Sequence, residues 1–147
     1  DKCKLEVQLV SLREDFIHDA IDLIIQQKML HQVEITSSHL HVLMKVRQYH
    51  PTIKIGVFLP EEQYKQDDLW CLNAIQTMQL IGANVAHIPN YRLNEFNVTR
   101  LKENGYIVHA SDCNDLDHLR KARDFGVHQL STDKFKQAVG YKNSVIG

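Results

Sequence analysis

Cysteine, glycine and proline are scarce in this sequence, which has 3 Cys, 6 Gly and 3 Pro among 147 residues. The odd number and wide spacing of Cys3, Cys71 and Cys113 exclude a disulfide framework and predict a reducing, cytoplasmic compartment. No run approaches the roughly 18 apolar residues of a membrane span, so no membrane-spanning helix is expected. The chain begins Asp-Lys-Cys-Lys without Met or an apolar signal segment, as expected of a piece of a longer protein.

Motifs that bind nucleotides or activate nucleophiles are also missing. No two glycines lie closer than seven residues, which excludes a glycine-rich phosphate loop, and neither Gly-x-Ser-x-Gly nor Cys-x-x-Cys occurs. The 17 Lys and Arg nearly balance the 18 Asp and Glu, giving a net charge of −1. This balance gives no electrostatic reason to expect a nucleic acid or a membrane surface as partner.

Six short β-branched runs are present, and amphipathic helical patterns separate them. The runs are Leu5–Val10, Val33–Thr36, Ile53–Leu59, Ala83–Ile88, Tyr106–Ala110 and Gly126–Leu130. Five apolar stripes at helical spacing begin at Phe16, Leu43, Leu69, Phe96 and Leu116. Ser38, Asn94 and Asp115 are predicted N-caps, and Gly82, Gly105 and Gly126 are predicted to end helices.

This alternation predicts an α/β fold with a parallel sheet, because parallel neighbours need crossover connections. No linker or low-complexity segment divides the chain, so residues 1–147 are expected to form a single domain. The spacing of roughly 25 residues per βα unit is close to that of an eight-unit barrel of about 250 residues. Two arrangements remain: an incomplete TIM (β/α) barrel of about six units, or an open doubly wound, flavodoxin-like sheet.

One face of several predicted strands is polar, as in the lumen of a barrel. Glu6 and Gln8 oppose Leu5, Val7 and Leu9, and His87 and His109 fall in the fourth and fifth strands. The nine histidines are scattered along the chain, so most are interpreted as solvated or hydrogen-bonded rather than as metal ligands. Cys71 and Trp70 lie on an apolar stripe and are predicted to belong to the core.

Several short pieces together resemble the glycerophosphodiester phosphodiesterase family of metal-dependent TIM-barrel hydrolases. In chain order they are Leu5-Glu-Val-Gln8, Ile35-Thr-Ser-Ser38, Ile55-Gly-Val-Phe-Leu59, Gly82-Ala-Asn-Val85, Tyr91-Arg-Leu93, Gly105-Tyr-Ile-Val-His-Ala-Ser-Asp-Cys-Asn-Asp115 and Phe125-Gly-Val-His-Gln-Leu-Ser-Thr-Asp133. The resemblance covers nearly the whole chain and implies barrel strands three to eight, without the first two.

The resemblance implies that Glu6 is a ligand of a divalent cation, Mg²⁺ or Ca²⁺. It also implies substrate-binding positions at Gln8, Ser38, Ser111 and Asn114. Three of these depart from the family: Gln8 replaces a Lys, Ser38 an aromatic residue and Ser111 a Trp. No catalytic residue is expected in this stretch, since the family's catalytic histidines lie in the missing strands.

The function implied is hydrolysis of small-molecule glycerophosphodiesters, products of phospholipid catabolism, to glycerol 3-phosphate and an alcohol. This stretch alone is expected to be inactive. The alternative is a non-catalytic barrel relative that works as a binding or interaction protein. Because two strands of a barrel are missing, we also expect self-association or an N-terminal segment that completes the barrel.

Overall fold

The structure is a computed structural model that describes residues 4–60 and 65–146; Cys3, included in the cysteine prediction above, lies outside them. Within these residues, six strands and six α-helices alternate. The strands are β1 (Leu5–Gln8), β2 (Val33–Ser37), β3 (Lys54–Phe58), β4 (Val85–Pro89), β5 (Ile107–Ser111) and β6 (Gln129–Leu130). The helices are α1 (Glu14–Gln26), α2 (Leu40–Tyr49), α3 (Asp67–Ile81), α4 (Glu95–Glu103), α5 (Leu116–Asp124) and α6 (Phe135–Ile146). No helix among the described residues is long and apolar enough to cross a bilayer.

The sheet follows the order of the chain, β1-β2-β3-β4-β5-β6. The pairs β1–β2, β2–β3 and β5–β6 are parallel, as the alternation predicts. A doubly wound sheet reverses its strand order at a switch point. No reversal occurs between β1 and β6, so the doubly wound alternative is wrong.

The chain divides into two compact units. The first comprises residues 1–58 and 76–85, and the second residues 59–75 and 86–147. In the first unit, Ile17, Ile21 and Ile24 form one buried stripe of α1, and every residue of β2 is buried. Burying each such aliphatic side chain contributes about 1.5–3 kcal/mol. The second unit has its own core around Trp70, whose indole Nε1 donates to the Pro60 carbonyl at 2.8 Å.

Local capping signals decide several helix ends. The Asn94 side chain accepts from the Asn97 amide at 2.9 Å and Asp115 from the His118 amide at 2.8 Å, which confirms both predicted N-caps. The prediction for Ser38 is wrong. The N-cap of α2 is His39, and the hydroxyl of Ser37 accepts the His39 amide instead. Gly82, Gly105 and Gly126 all have positive φ angles, as predicted for residues that follow helices.

The last βα unit differs most from expectation. Only Gln129–Leu130 of the predicted run Gly126–Leu130 joins the sheet. Gly126 has a φ of +64°, and the Val127 amide donates back to the Ala122 carbonyl at 3.0 Å, so these residues complete the end of α5. Helix α6 was not among the five predicted helices.

Candidate functional site

The polar face of the first unit is built by the register of β1, β2 and β3. Parallel partners point to the same face, and the register aligns Glu6 with Glu34 and Glu34 with Lys54. The Thr36 hydroxyl, two residues along β2, donates to a Glu6 carboxylate oxygen at 3.1 Å. Thr36 is fully buried whereas Glu6 is exposed, so a buried residue holds an accessible carboxylate. The prediction of a polar face is confirmed for these strands.

A buried ion pair lies beside Glu6 on this face. The Lys54 ammonium lies 3.1 Å from the Glu34 carboxylate, and the two side chains are 28% and 7% exposed. A charge this deeply buried is costly unless it is paired. Lys54 therefore balances Glu34, which makes Glu34 a structural carboxylate, while Glu6 retains access to solvent.

The polar face of the second unit carries a pair of stacked histidines. The rings of His87 on β4 and His109 on β5 lie 4.1 Å apart between centroids, with planes 25° apart. The two residues are only 2% and 6% exposed. His109 Nδ1 lies 3.2 Å from Gln129 Oε1 on β6, its direct partner in the strand register. This side of β4, β5 and β6 is therefore also polar.

The predicted substrate-binding residues lie at strand ends and in the loops that follow. Gln8 ends β1 and is exposed, and Ser38, also exposed, directly follows β2. Ser111 ends β5, where its buried Oγ has no hydrogen-bond partner among the described residues. In parallel sheets with crossover helices, loops after the carboxyl ends of strands form binding sites. The roles of these side chains stay predictions.

Asn114 closes the loop after β5 onto the loop after β6. Its Oδ1 accepts from the Thr132 hydroxyl at 3.0 Å and from the Asp133 amide at 2.8 Å. Its Nδ2 donates to the Asp133 carboxylate at 3.1 Å. Both ends of the Asn114 amide are thus used within the protein, which is the pattern of a residue that shapes a loop.

The two described cysteines are free and buried. Burial raises the pKa of the Cys113 thiol to about 11, and nearby Asp112 and Asp115 add to this effect. Burial also raises the pKa of Cys71. Since the thiolate is the reactive form, neither thiol is suited to nucleophilic catalysis. Cys71 and Trp70 both belong to the core, as predicted.

Sequence reasoning missed the meeting of His87 and His109. It placed both on strands, but 22 positions separate them and neither belongs to a motif of fixed spacing. Their contact depends on which residues of neighbouring strands lie side by side. The one usable signal was that each histidine interrupts a β-branched run on its polar side.

No family model matches this chain, and no curated protein matches it. Several solved structures, in contrast, are similar to it. A proposed glycerophosphodiester phosphodiesterase from Galdieria sulphuraria has a TM-score of 0.81 at 17% identity, covering 98% of this chain and 57% of that one. A proposed glycerophosphoryl diester phosphodiesterase from Silicibacter pomeroyi has a TM-score of 0.82 at 14% identity, covering 97% and 51%. An Oleispira antarctica phosphodiesterase in complex with its product sn-glycerol-3-phosphate has a TM-score of 0.67 at 20% identity, covering 93% and 54%.

At such identities the likeness shows the fold, and function has to be argued from sites. The predicted incomplete TIM (β/α) barrel is confirmed. The resemblance to glycerophosphodiester phosphodiesterases is confirmed at the level of the fold. The chain spans between 51% and 57% of the length of these solved structures.

Proposed function

We propose that this chain is part of a metal-dependent hydrolase that cleaves glycerophosphodiesters to glycerol 3-phosphate and an alcohol. The observation that carries the proposal is the fold match over nearly the whole chain to structures described as phosphodiesterases of this class. The Oleispira structure, with glycerol 3-phosphate bound as product, supports a phosphate ester of glycerol as the substrate class.

Glu6 is the proposed ligand of the cation. An exposed carboxylate next to a hydroxyl offers oxygen ligands, which fit hard cations such as Mg²⁺ or Ca²⁺. A cation bound there would neutralise charge on the non-bridging oxygens of the phosphodiester. Thr36 is the proposed positioning residue, since its hydrogen bond fixes the carboxylate of Glu6 without itself reaching solvent.

Substrate contacts are proposed at Gln8, Ser38 and Ser111. The first two are exposed and follow Glu6 and Thr36 by two residues, at the carboxyl ends of β1 and β2. All three side chains are neutral and small or flexible. They can donate hydrogen bonds to phosphate and hydroxyl oxygens, but they attract an anionic phosphodiester less strongly than Lys does. We therefore expect weak substrate binding, reflected in a high KM.

The test is the release of glycerol 3-phosphate from glycerophosphocholine by the full-length protein, with Mg²⁺ or Ca²⁺ added after chelation. We expect turnover with at least one cation and a loss of at least about 100-fold in kcat/KM for Glu6→Gln, since charge neutralisation is a large term in such reactions. Glu14→Gln is the matched control, because Glu14 is an exposed carboxylate that pairs with Lys45 on the helices. No turnover with either cation would overturn the proposal.

A non-catalytic binding protein is the second candidate. The observation that favours it is the combined replacement at Gln8, Ser38 and Ser111, which removes one cation and two aromatic side chains relative to the family pattern. This candidate predicts that the full-length protein binds glycerol 3-phosphate in calorimetry but releases none from the diester. Measurable turnover that depends on Glu6 would exclude it.

We also propose that the sheet edges at β1 and β6 are covered, either by further strands of a longer chain or by a second copy. These two strands lie at the ends of the strand order, and an open edge presents unpaired backbone groups. Size-exclusion chromatography with light scattering tests the 147-residue chain alone. A monomer that melts in one cooperative transition would contradict this proposal.

A further inference from the structure

A cavity between α5, β6 and α6 lies within the second unit. It encloses about 940 Å³, within the range of about 300–1,000 Å³ that is usual for small-molecule sites. Its apolar wall is formed by Leu119, Ala122, Val127, Leu130, Val139 and Val145. None of the side chains proposed above to bind the cation or the phosphodiester lines it, so a ligand in this cavity would be a different molecule.

The apolar wall runs along most of α6. Phe135 and Val145 both line the cavity, and their ten-residue separation corresponds to about 15 Å of helix. Both side chains are exposed, as is that of Val139 between them, so this apolar surface is in contact with water. Covering apolar surface is favourable in proportion to its area. The wall therefore suits an elongated apolar chain better than a compact polar molecule.

The charged residues of the lining are basic. Arg123, His128 and Lys142 line the cavity, whereas no Asp or Glu of the described residues does. The guanidinium carbon of Arg123 lies 5.6 Å from the ring centroid of Tyr141, a cation–π contact that orients the arginine beside the cavity. A guanidinium and an ammonium next to an apolar wall attract an anionic group.

The net charge of these groups favours a single negative charge in the ligand. Arg123 also pairs with Asp124, so these two residues and Lys142 together carry one positive charge. The Nδ1 of His128 accepts the Val108 amide at 3.0 Å, which requires that this nitrogen carry no proton, so the ring is neutral. A carboxylate has one negative charge near neutral pH, whereas a phosphate monoester has about −1.5 to −2. The lining therefore matches a carboxylate.

We propose that this cavity binds a single-chain fatty acid. The acyl chain lies against the apolar wall along α6, and the carboxylate accepts hydrogen bonds from Arg123 and Lys142. The planar guanidinium of an arginine can donate two parallel hydrogen bonds to a carboxylate. Each methylene group that the cavity covers strengthens binding by about fourfold.

The experiment is calorimetric titration of sodium dodecanoate, kept below its micelle concentration, into the full-length protein at about pH 8, where the carboxyl group is ionised. We expect binding with a negative change in heat capacity, because apolar surface is covered. Octanoate, which has a shorter chain, should bind at least about tenfold more weakly. Dodecyltrimethylammonium, which has the same chain length and a cationic head, should also bind at least about tenfold more weakly.

The double variant Arg123→Gln/Lys142→Gln tests the basic groups. Both side chains are exposed, so the fold should be retained, and we expect dodecanoate to bind about tenfold more weakly. The matched control is Lys134→Gln/Lys136→Gln, which removes the same charge from two exposed lysines outside the lining. This control should change the affinity by less than about twofold.

Ala138→Phe tests the cavity itself without changing any charge. Ala138 is a lining residue, so the larger side chain should occupy the volume and abolish dodecanoate binding. Gln137→Phe is its control, because Gln137 is the exposed neighbour outside the lining. Circular dichroism checks that each variant folds.

Absence of dodecanoate binding to the full-length protein, as expected if another segment or a second copy fills the cavity, would overturn the proposal. Equal affinity for the cationic amphiphile would also overturn it. The same holds if Arg123→Gln/Lys142→Gln binds as tightly as the lysine control, a result that does not depend on whether Ala138→Phe folds. The titration contains no glycerophosphodiester, so its outcome is independent of the hydrolysis assay.

Discussion

Arg47 on α2 is expected to contribute more to stability than any single exposed side chain of the first unit. Its Nη1 donates to the Pro51 and Ile53 carbonyls, the latter at 2.9 Å. Its Nη2 donates to the Gly82 carbonyl at 2.7 Å and to Asn84 Oδ1 at 3.1 Å. One guanidinium thus joins the end of α2, the start of β3 and the turn between α3 and β4. We predict that Arg47→Met destabilises the fold substantially.

The magnitude follows from the four acceptors. The bond to the Ile53 carbonyl is partly buried, and an acceptor that loses its donor there costs about 1–3 kcal/mol. The other three are more exposed and can be hydrated, so each costs about 0.5 kcal/mol. Met retains the apolar contacts of the stem. The expected loss is about 2.5–4.5 kcal/mol in the free energy of unfolding.

Urea unfolding followed by circular dichroism measures this loss. With an m-value of about 2 kcal/mol/M, the midpoint should fall by about 1–2 M. Arg47→Lys should fall between the wild type and Arg47→Met, because an ammonium cannot reach all four acceptors with the planar fork of a guanidinium. Arg120→Met, at an exposed position on α5, is the control and should change stability by less than about 0.5 kcal/mol. If Arg47→Met behaves like Arg120→Met, the reasoning is refuted.

Three further perturbations have defined outcomes. Asn94→Ala and Asp115→Ala should each lower the free energy of unfolding by about 1 kcal/mol in urea melts, because each removes an N-cap hydrogen bond. Gly105→Ala should lower the free energy of unfolding by about 1 kcal/mol, because the φ angle of Gly105 is +82°. Gly140→Ala within α6 has open space around it and should raise the free energy of unfolding by about 0.5–1 kcal/mol. Changes of the same sign in the two variants would contradict this prediction. Because the pKa of Cys113 is raised to about 11, the folded protein favours the neutral thiol. Iodoacetamide should therefore modify Cys113 slowly at about pH 8.5 in the folded protein and much faster in urea. The free energy of unfolding should fall as the pH rises from about 9 to 11, because the unfolded state loses the thiol proton first. Mass spectrometry of the labelled cysteine measures both rates.

Local patterns predicted the existence of the strands and five helices because burial and capping act over a few residues. The buried run of β2 and the caps at Asn94 and Asp115 are of this kind. The prediction of an N-cap at Ser38 was wrong because Ser37, Ser38 and His39 are consecutive in the sequence. The backbone conformation decides which of them is the N-cap and which hydroxyl accepts a backbone amide. Helix α6 escaped prediction because most of it is exposed, so its sequence carries little apolar periodicity.

The polar side chains on the strands also differ in whether local or non-local signals predict them. Glu6 was predicted as a ligand from the resemblance of Leu5–Gln8 to a family strand, and the strict alternation of this run placed its carboxylate on the polar side. His87 and His109 were treated as unrelated because only the pairing of two strands, set by packing across the sheet, brings them together. The same holds for the ion pair between Lys54 and Glu34, which depends on the register of β2 and β3.

The polar side chains on these strands and loops differ in how far the protein itself occupies their hydrogen-bonding atoms. This difference separates side chains that stabilise the fold from side chains that can bind a ligand. Lys54 and Glu34 satisfy one another, and both ends of the Asn114 amide are occupied by neighbouring loops. Such groups stabilise the fold and have little capacity left for a ligand. Glu6 is held by Thr36 yet remains exposed. A side chain that the protein orients through one atom, leaving another to bind, is what a binding site requires. Functional tests should therefore begin with Glu6.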